Sequence, residues 1–184
     1  MIKIGITGSI ASGKSSVASL LSKNKKNLFS ADEKVRSLYK QQKFQLKLSK
    51  KYKLNKGKIK EQIKFKILEK KINIKSLGKF IQPFVRKEMF NFTKKNRNSD
   101  ILFYEIPLLI ESNLMHFFDL IILIVSKKEI RLKRYKKNGG QTKFFNILEK
   151  NQLPPKKKYK FCDFVIVNNN TKKILKEKLD DIIL

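Results

Sequence analysis

Cysteine, histidine, arginine and acidic residues are all scarce in this chain, and each shortage excludes something. One cysteine, Cys162, stands in 184 residues. That rules out an intramolecular disulfide framework and fits a reducing compartment. A single histidine, His116, rules out a metal site built from clustered imidazoles. No apolar run approaches the roughly 20 residues that span a bilayer, so no membrane partner is expected. Met1 leads directly into a strand-like run, so no secretory leader is expected and the reading is a cytoplasmic protein. Acids number 15 against 44 lysines and arginines, for a formal net charge of +29. Only five of those basic residues are arginine. The lysines are spread through every segment, alongside many Asn and Ile. A dedicated nucleic-acid reader concentrates its charge, and arginine is the better base reader. The pattern therefore reads as lysine filling solvated positions, with no specific nucleic-acid partner. Such a surface still favours anionic substrates and binds polyanions nonspecifically. With 41% hydrophobic residues the chain can bury a core, and its length suits one domain with a small insertion.

What is present begins at Gly8-Ser9-Ile10-Ala11-Ser12-Gly13-Lys14-Ser15. This is P-loop spacing, a glycine, four residues, then Gly-Lys-Ser. Residues 2–6 read as a short buried strand. Val17, Ala18, Leu20 and Leu21 fall at helical spacing over residues 14–23. The motif thus lies between a strand and a helix, as its function requires. The alternative, an ordinary glycine-containing turn, does not explain that context. In a P-loop, backbone N–H groups from Gly8, Ala11, Ser12, Gly13, Lys14, Ser15 and Ser16 cradle nucleotide phosphates, helped by the helix dipole. Lys14 would reach the β and γ phosphates, and the Ser15 hydroxyl would ligate Mg²⁺.

Further strands are expected at residues 27–30, 101–104, 120–125 and 164–167, with helices between them and a closing helix over 171–183. Strands alternating with helices imply a parallel sheet covered on both faces, a three-layer α/β/α sandwich. From about 40 to 97 no strand is legible. Apolar residues recur there at helical spacing between lysines, with breaks expected near Asn55-Lys56-Gly57 and at Gly78. This reads as a helical insertion.

Three more features bear on chemistry. Asp32 follows the second strand, where parallel sheets place their ligands. It is either a base that orients and deprotonates an acceptor hydroxyl or a helix N-cap. Glu105 ends the third strand just before Pro107, Leu108 and Glu111, either near a metal's water shell or in an ordinary strand-to-helix loop. Arg134 lies on a basic helix ahead of the break Asn138-Gly139-Gly140. Residues 136–152 resemble a lid that closes over phosphates; the alternative is a solvated lysine-rich face.

Taken in order, the motifs resemble those of the dephospho-CoA kinase family. They are the P-loop, Ala31-Asp32 with Arg36, Pro83, Pro107-Leu108-Leu109 with Glu111, Arg134, Gln152, Lys158, and Asp163-Phe164-Val165-Ile166-Val167-Asn168. The resemblance implies transfer of the ATP γ-phosphoryl group to the ribose 3′-hydroxyl of dephospho-CoA, with ATP as co-substrate and Mg²⁺ as metal. It implies that Asp32 is the base, that Arg36 and Arg134 bind phosphates, that Glu105, Pro107 and Leu108 serve the metal or the acceptor, and that the helical insertion at about 40–97 binds the acceptor. Several positions depart from the family pattern. Ser9 and Ala11 replace loop glycines, Ser30 replaces the first acid of Asp-Ala-Asp, and Gln82 replaces a histidine. Asn138 stands where a lid arginine is expected, leaving Lys136, Lys137 or Lys143 to supply that charge. Two other readings are a nucleoside monophosphate kinase and a noncatalytic polyanion-binding P-loop protein.

Overall fold

In a computed structural model, residues 1–23, 25–55 and 57–183 are described. The strands are β1 (Ile2–Gly8), β2 (Leu28–Ser30), β3 (Ile101–Glu105), β4 (Leu120–Val125) and β5 (Phe164–Val167). The helices are α1 (Lys14–Ser22), α2 (Ala31–Leu38), α3 (Gln42–Tyr52), α4 (Ile59–Leu68), α5 (Ile74–Lys95), α6 (Lys128–Lys137), α7 (Thr142–Lys150), α8 (Pro155–Lys158) and α9 (Lys172–Ile183). The strands form one parallel sheet in the order β2-β3-β1-β4-β5. The α/β/α reading of the sequence holds. By packing, the chain divides into two compact units, Met1–Ser30 with Asn91–Leu184, and Ala31–Phe90.

The first unit contains the sheet. Strands β3 and β4 are nearly unbroken apolar runs because both of their faces are covered. On one face Ile6, Ile122, Ile124 and Ile166 meet Val17, Ala18 and Leu21 of α1 and Leu175 and Leu179 of α9. Elsewhere in the unit Tyr104 stacks with Phe29, Phe92, Phe117 and Phe118. Register is pinned at the strand entrances by two aspartates. Asp119 accepts the Lys3 N–H at 2.7 Å, and Asp163 accepts the Ile121 N–H at 2.7 Å. Asp163, which opens the Asp-Phe-Val-Ile-Val-Asn segment, is therefore a strand tie, remote from the strands' carboxyl ends. Ile6 pairs with Glu105 on one side and with Ile122 on the other. The strand order reverses at β1, so a crevice for ligands opens beyond its carboxyl end. The P-loop lies there.

The second unit is helical, with a core of Phe44, Leu48, Ile59, Ile63, Ile67 and Leu77. The rings of Tyr39, Phe44, Tyr52, Phe80 and Phe84 form a connected cluster. Gln62 ties the α3–α4 connection by bonding Asn55 and Gly57; Lys56, within the expected break, lies outside the described residues. The break expected at Gly78 does not form, because α5 runs through both Gly78 and Pro83. A helical glycine costs only about 1 kcal/mol, which burial of Leu77 and the rings of Phe80 and Phe84 outweighs.

Candidate functional site

The P-loop connects the end of β1 to α1, and its geometry explains its sequence. Gly13 takes the N-cap position of α1 in the left-handed region, at φ +99°. A Cβ there would come within 2.1 Å of Asn168 Nδ2, so both conformation and space demand glycine. Asn168 Nδ2 in turn donates to the Ser12 carbonyl at 2.9 Å, a strut from the end of β5 to the loop. Glycine at the N-cap has no side chain to satisfy the first-turn N–H groups of α1. Those groups, with the positive end of the helix dipole, make an anion site. Ala11 also adopts a left-handed conformation, φ +56°, so a small residue other than glycine is accommodated there.

Lys14 is folded across the loop, with Nζ donating to the Ser9 carbonyl at 3.0 Å, and its side chain is buried. The Thr7 hydroxyl donates to the Pro107 carbonyl at 3.2 Å, which ties the P-loop strand to the turn after β3. Glu105 is buried, at 3% exposure, and accepts two hydroxyl protons. Ser15 Oγ donates to its Oε1 at 2.5 Å and Ser30 Oγ to its Oε2 at 2.9 Å. Gly8, Ala11, Ser12, Gly13, Lys14, Ser15, Ser16, Glu105, Pro107 and Leu108 thus belong to one unit, gathered around the end of β1. Ser15 itself is exposed.

Two arginines of α6 have opposite fates. Arg131 is buried and pairs with Glu149, while its Nε donates to the Ser126 carbonyl at 3.0 Å. Burial raises the Glu149 carboxyl, but hydrogen bonds from Arg131 and Lys128 outweigh it and hold the group below the usual range. Arg134 bonds the Asn168 carbonyl at 3.0 Å and makes longer contacts, 3.4 to 3.5 Å, with Ser12 O, Ser126 Oγ, Asn168 Oδ1 and Asn170 O. These acceptors are all neutral. Partial burial pushes the guanidinium down from its ordinary value. A guanidinium held by neutral oxygens keeps its charge for an anion, whereas that of Arg131 is already answered.

Asp32 and Arg36 lie in the second unit, both exposed on α2. Helix α2 begins at Ala31, so Asp32 occupies its first turn and is not the N-cap. Arg36, one turn on, directs Nε to the Asp32 carbonyl at 3.4 Å. Asn138 ends α6, and Lys136, Lys137 and Lys143 are exposed. Gly140 abuts the Tyr135 ring, which stacks on Phe145. Cys162 plays no evident chemical part: burial pushes its thiol up to about 11, and His116 is exposed.

The sequence alone did not reveal the partners of these residues. Gln152 and Asn168 stood among the family motifs and Ser30 at a departure from them, but no spacing announced which groups they would contact, and Ser126 was not singled out at all.

Comparison with known proteins agrees on one family. The family model "Dephospho-CoA kinase" matches residues 2–173. The chain is 31% identical to a Rickettsia felis dephospho-CoA kinase over 100% of its own length and 97% of the relative. It is 30% identical to that of Zymomonas mobilis over 91% of its length and 88% of the relative. Among solved structures, a Campylobacter jejuni dephospho-CoA kinase superposes with TM-score 0.64 at 25% identity, covering 98% of this chain and 94% of that one. A Thermus thermophilus chain shares the fold at TM-score 0.77 and 24% identity, with 99% and 96% covered.

Proposed function

We propose how this chain, which belongs to the dephospho-CoA kinase family, divides the labour of phosphorylating dephospho-CoA. The reaction moves the ATP γ-phosphoryl group to the ribose 3′-hydroxyl, giving CoA and ADP, the last step of CoA biosynthesis. The uncapped start of α1 at Gly13 holds the nucleotide phosphates. Lys14 leaves the Ser9 carbonyl to meet the β and γ oxygens, stabilising charge as the group transfers. Arg134 and Arg36 clamp further phosphates of donor and acceptor. Pro107 and Leu108 shape the acceptor turn. Asp32, exposed on α2, orients the 3′-hydroxyl and takes its proton.

The residues present fit Mg²⁺. Ser15 offers a hydroxyl oxygen beside the Glu105 carboxylate, the hard donors this ion prefers. Among the described residues no group of three His, Cys, Asp or Glu side chains could hold a metal. That suits an ion that arrives with the nucleotide and keeps most of its ligands as water and phosphate. When bound, it supplies neutralisation of the β- and γ-phosphate oxygens. Glu105 accepts the Ser15 hydroxyl proton and so leaves that oxygen's lone pairs for the metal, with Ser30 fixing the carboxylate from its other oxygen.

No helix among the described residues is long and apolar enough to cross a membrane. We read the protein as cytoplasmic, and the +29 charge as a general surface property with no nucleic-acid partner of its own. The observation that carries the donor assignment is the glycine-capped, strut-held start of α1. A coupled ADP-release assay offering dephospho-CoA, AMP, CMP and shikimate tests the acceptor. Dephospho-CoA is expected to give the highest kcat/KM, and a higher value with AMP or CMP would overturn the assignment.

A further inference from the structure

One short stretch after α7 grips both loops that flank the site. Gln152 Oε1 accepts the Ile10 N–H at 2.8 Å. Arg131 Nη1 approaches the carbonyl of the same residue at 3.4 Å. Both backbone polar groups of Ile10, at the tip of the P-loop, thus meet side chains from outside the loop. The next residue, Leu153, donates its N–H to Glu111 Oε1 at 2.9 Å. Five residues further, Lys158 Nζ pairs with the same oxygen at 2.8 Å. Lys158 has no exposed surface. Glu111 follows the turn that Pro107 opens, on the acceptor side.

Fold stability alone does not call for this arrangement. A buried ion pair is often no more stabilising than an apolar pair of the same volume; what it fixes is geometry. The Ile10 N–H, given to Gln152, is withheld from phosphate. Fixing that peptide also fixes the one that follows it, at Ala11, which is held at φ +56°. The charge of Arg131 is answered by Glu149, so this arginine does not compete for the nucleotide.

We propose that residues 152–158 form a bracket that sets the donor loop at Ile10 against the acceptor turn at Glu111, with Gln152 a positioning residue for ATP. The proposal rests on the division of donor and acceptor sides given above. Its test uses the full chain and titrates a fluorescent ATP analogue without acceptor, alongside steady-state kinetics and melting. Gln152→Met keeps length and loses the acceptor oxygen. Its Kd for the analogue rises about five- to tenfold, as for loss of one hydrogen bond. Its KM for dephospho-CoA and its melting temperature stay near parental. Gln152→Glu retains the oxygen and binds the analogue more tightly than Gln152→Met. At the other end, the double variant Glu111→Gln with Lys158→Met keeps an acceptor for Leu153 and removes the charge pair. It raises the KM for dephospho-CoA and leaves the analogue's Kd unchanged. Parental affinity in Gln152→Met, equal losses in the Met and Glu variants, or a parental dephospho-CoA KM in the double variant overturns the bracket. A parent chain that binds ATP but does not phosphorylate dephospho-CoA overturns the acceptor assignment instead, while the nucleotide titrations still read the donor end.

Discussion

The two compact units solve different problems with different chemistry. The sheet-containing unit is wired at its functional end by polar bonds among partly or fully buried groups. Ser15 and Ser30 meet on Glu105, Asn168 props Ser12, Gln152 holds Ile10, and Arg134 rests on neutral carbonyls. The helical unit, Ala31–Phe90, is held by aliphatic packing and stacked rings. It carries 17 lysines and two arginines against five acids, a denser positive charge than the rest of the chain. Lys47 and Lys51 lie over its rings of Phe84 and Phe80. A site that must stabilise a transferring phosphoryl group needs fixed dipoles at fixed distances. The helical unit, on the proposed reading, receives a polyanionic acceptor; such a surface needs shape and a favourable field, and tolerates variation in which lysine supplies it.

The sharpest way to break this contrast is to ask whether the helical unit contributes chemistry at all. Asp32 is its candidate. Asp32→Asn keeps the shape but cannot take a proton, so turnover should fall by about 10² to 10⁴-fold, the range for general base catalysis. ATP affinity should change little, because the donor is proposed to bind the other unit. Melting should barely move, since an exposed first-turn acid is worth about 0.3 to 1 kcal/mol. Normal turnover would leave the helical unit a binding surface only, with Glu105 the next acid to test. Lys14→Ala probes the opposite unit. Loss of this preorganised charge should cost about 10² to 10³-fold in kcat with the fold retained, and a purified variant of near-parental turnover would remove the donor assignment.

Legibility divided along the same line. The P-loop is contiguous, because a strand, a tight turn and a helix N-terminus must follow one another in the chain. The residue types at Gly13, Lys14 and Ser15 therefore pointed to the roles proposed for them. The parallel sheet was readable for the same reason: runs such as Leu120–Val125 are apolar on both faces. That Gln152 and Asn168, though named among the motifs, contact the loop was not readable. Gln152 and Asn168 reach it across more than 140 residues, and one polar residue carries no period. Gly78 misled because local propensity was given more weight than burial. Asp32 stayed ambiguous because cap and base call for the same side chain, and only the start of α2 at Ala31 removes the cap.

Ser30→Ala would sharpen the contrast at the boundary between the units. It deletes one of the two hydroxyls on Glu105 while leaving the Ser15 bond. With Glu105 less firmly oriented, the Mg²⁺ concentration for half-maximal turnover should rise several-fold, on the order of one lost hydrogen bond. Ser30→Thr, which restores the hydroxyl, should recover most of it. The same shift should show in the Mg²⁺ dependence of nucleotide binding without acceptor. An unchanged Mg²⁺ dependence would mean that Glu105 needs no second donor.

The smallest effect is expected at Ala11, and its sign is informative. A non-glycine residue in the left-handed region carries about 1 to 2 kcal/mol of strain. Glycine there removes the strain but frees the unfolded chain, at about 0.5 to 1 kcal/mol. The difference favours Ala11→Gly by about 0.5 kcal/mol. For a chain of this size that is a rise of about 1 to 2 °C in melting temperature. ATP affinity should hold, because glycine adopts the conformation the loop backbone already has without steric cost. A fall in melting temperature would show that the Ala11 methyl packs usefully. In that case the loop of this chain would be stiffened by its own side chain as well as held from outside through Gln152 and Asn168.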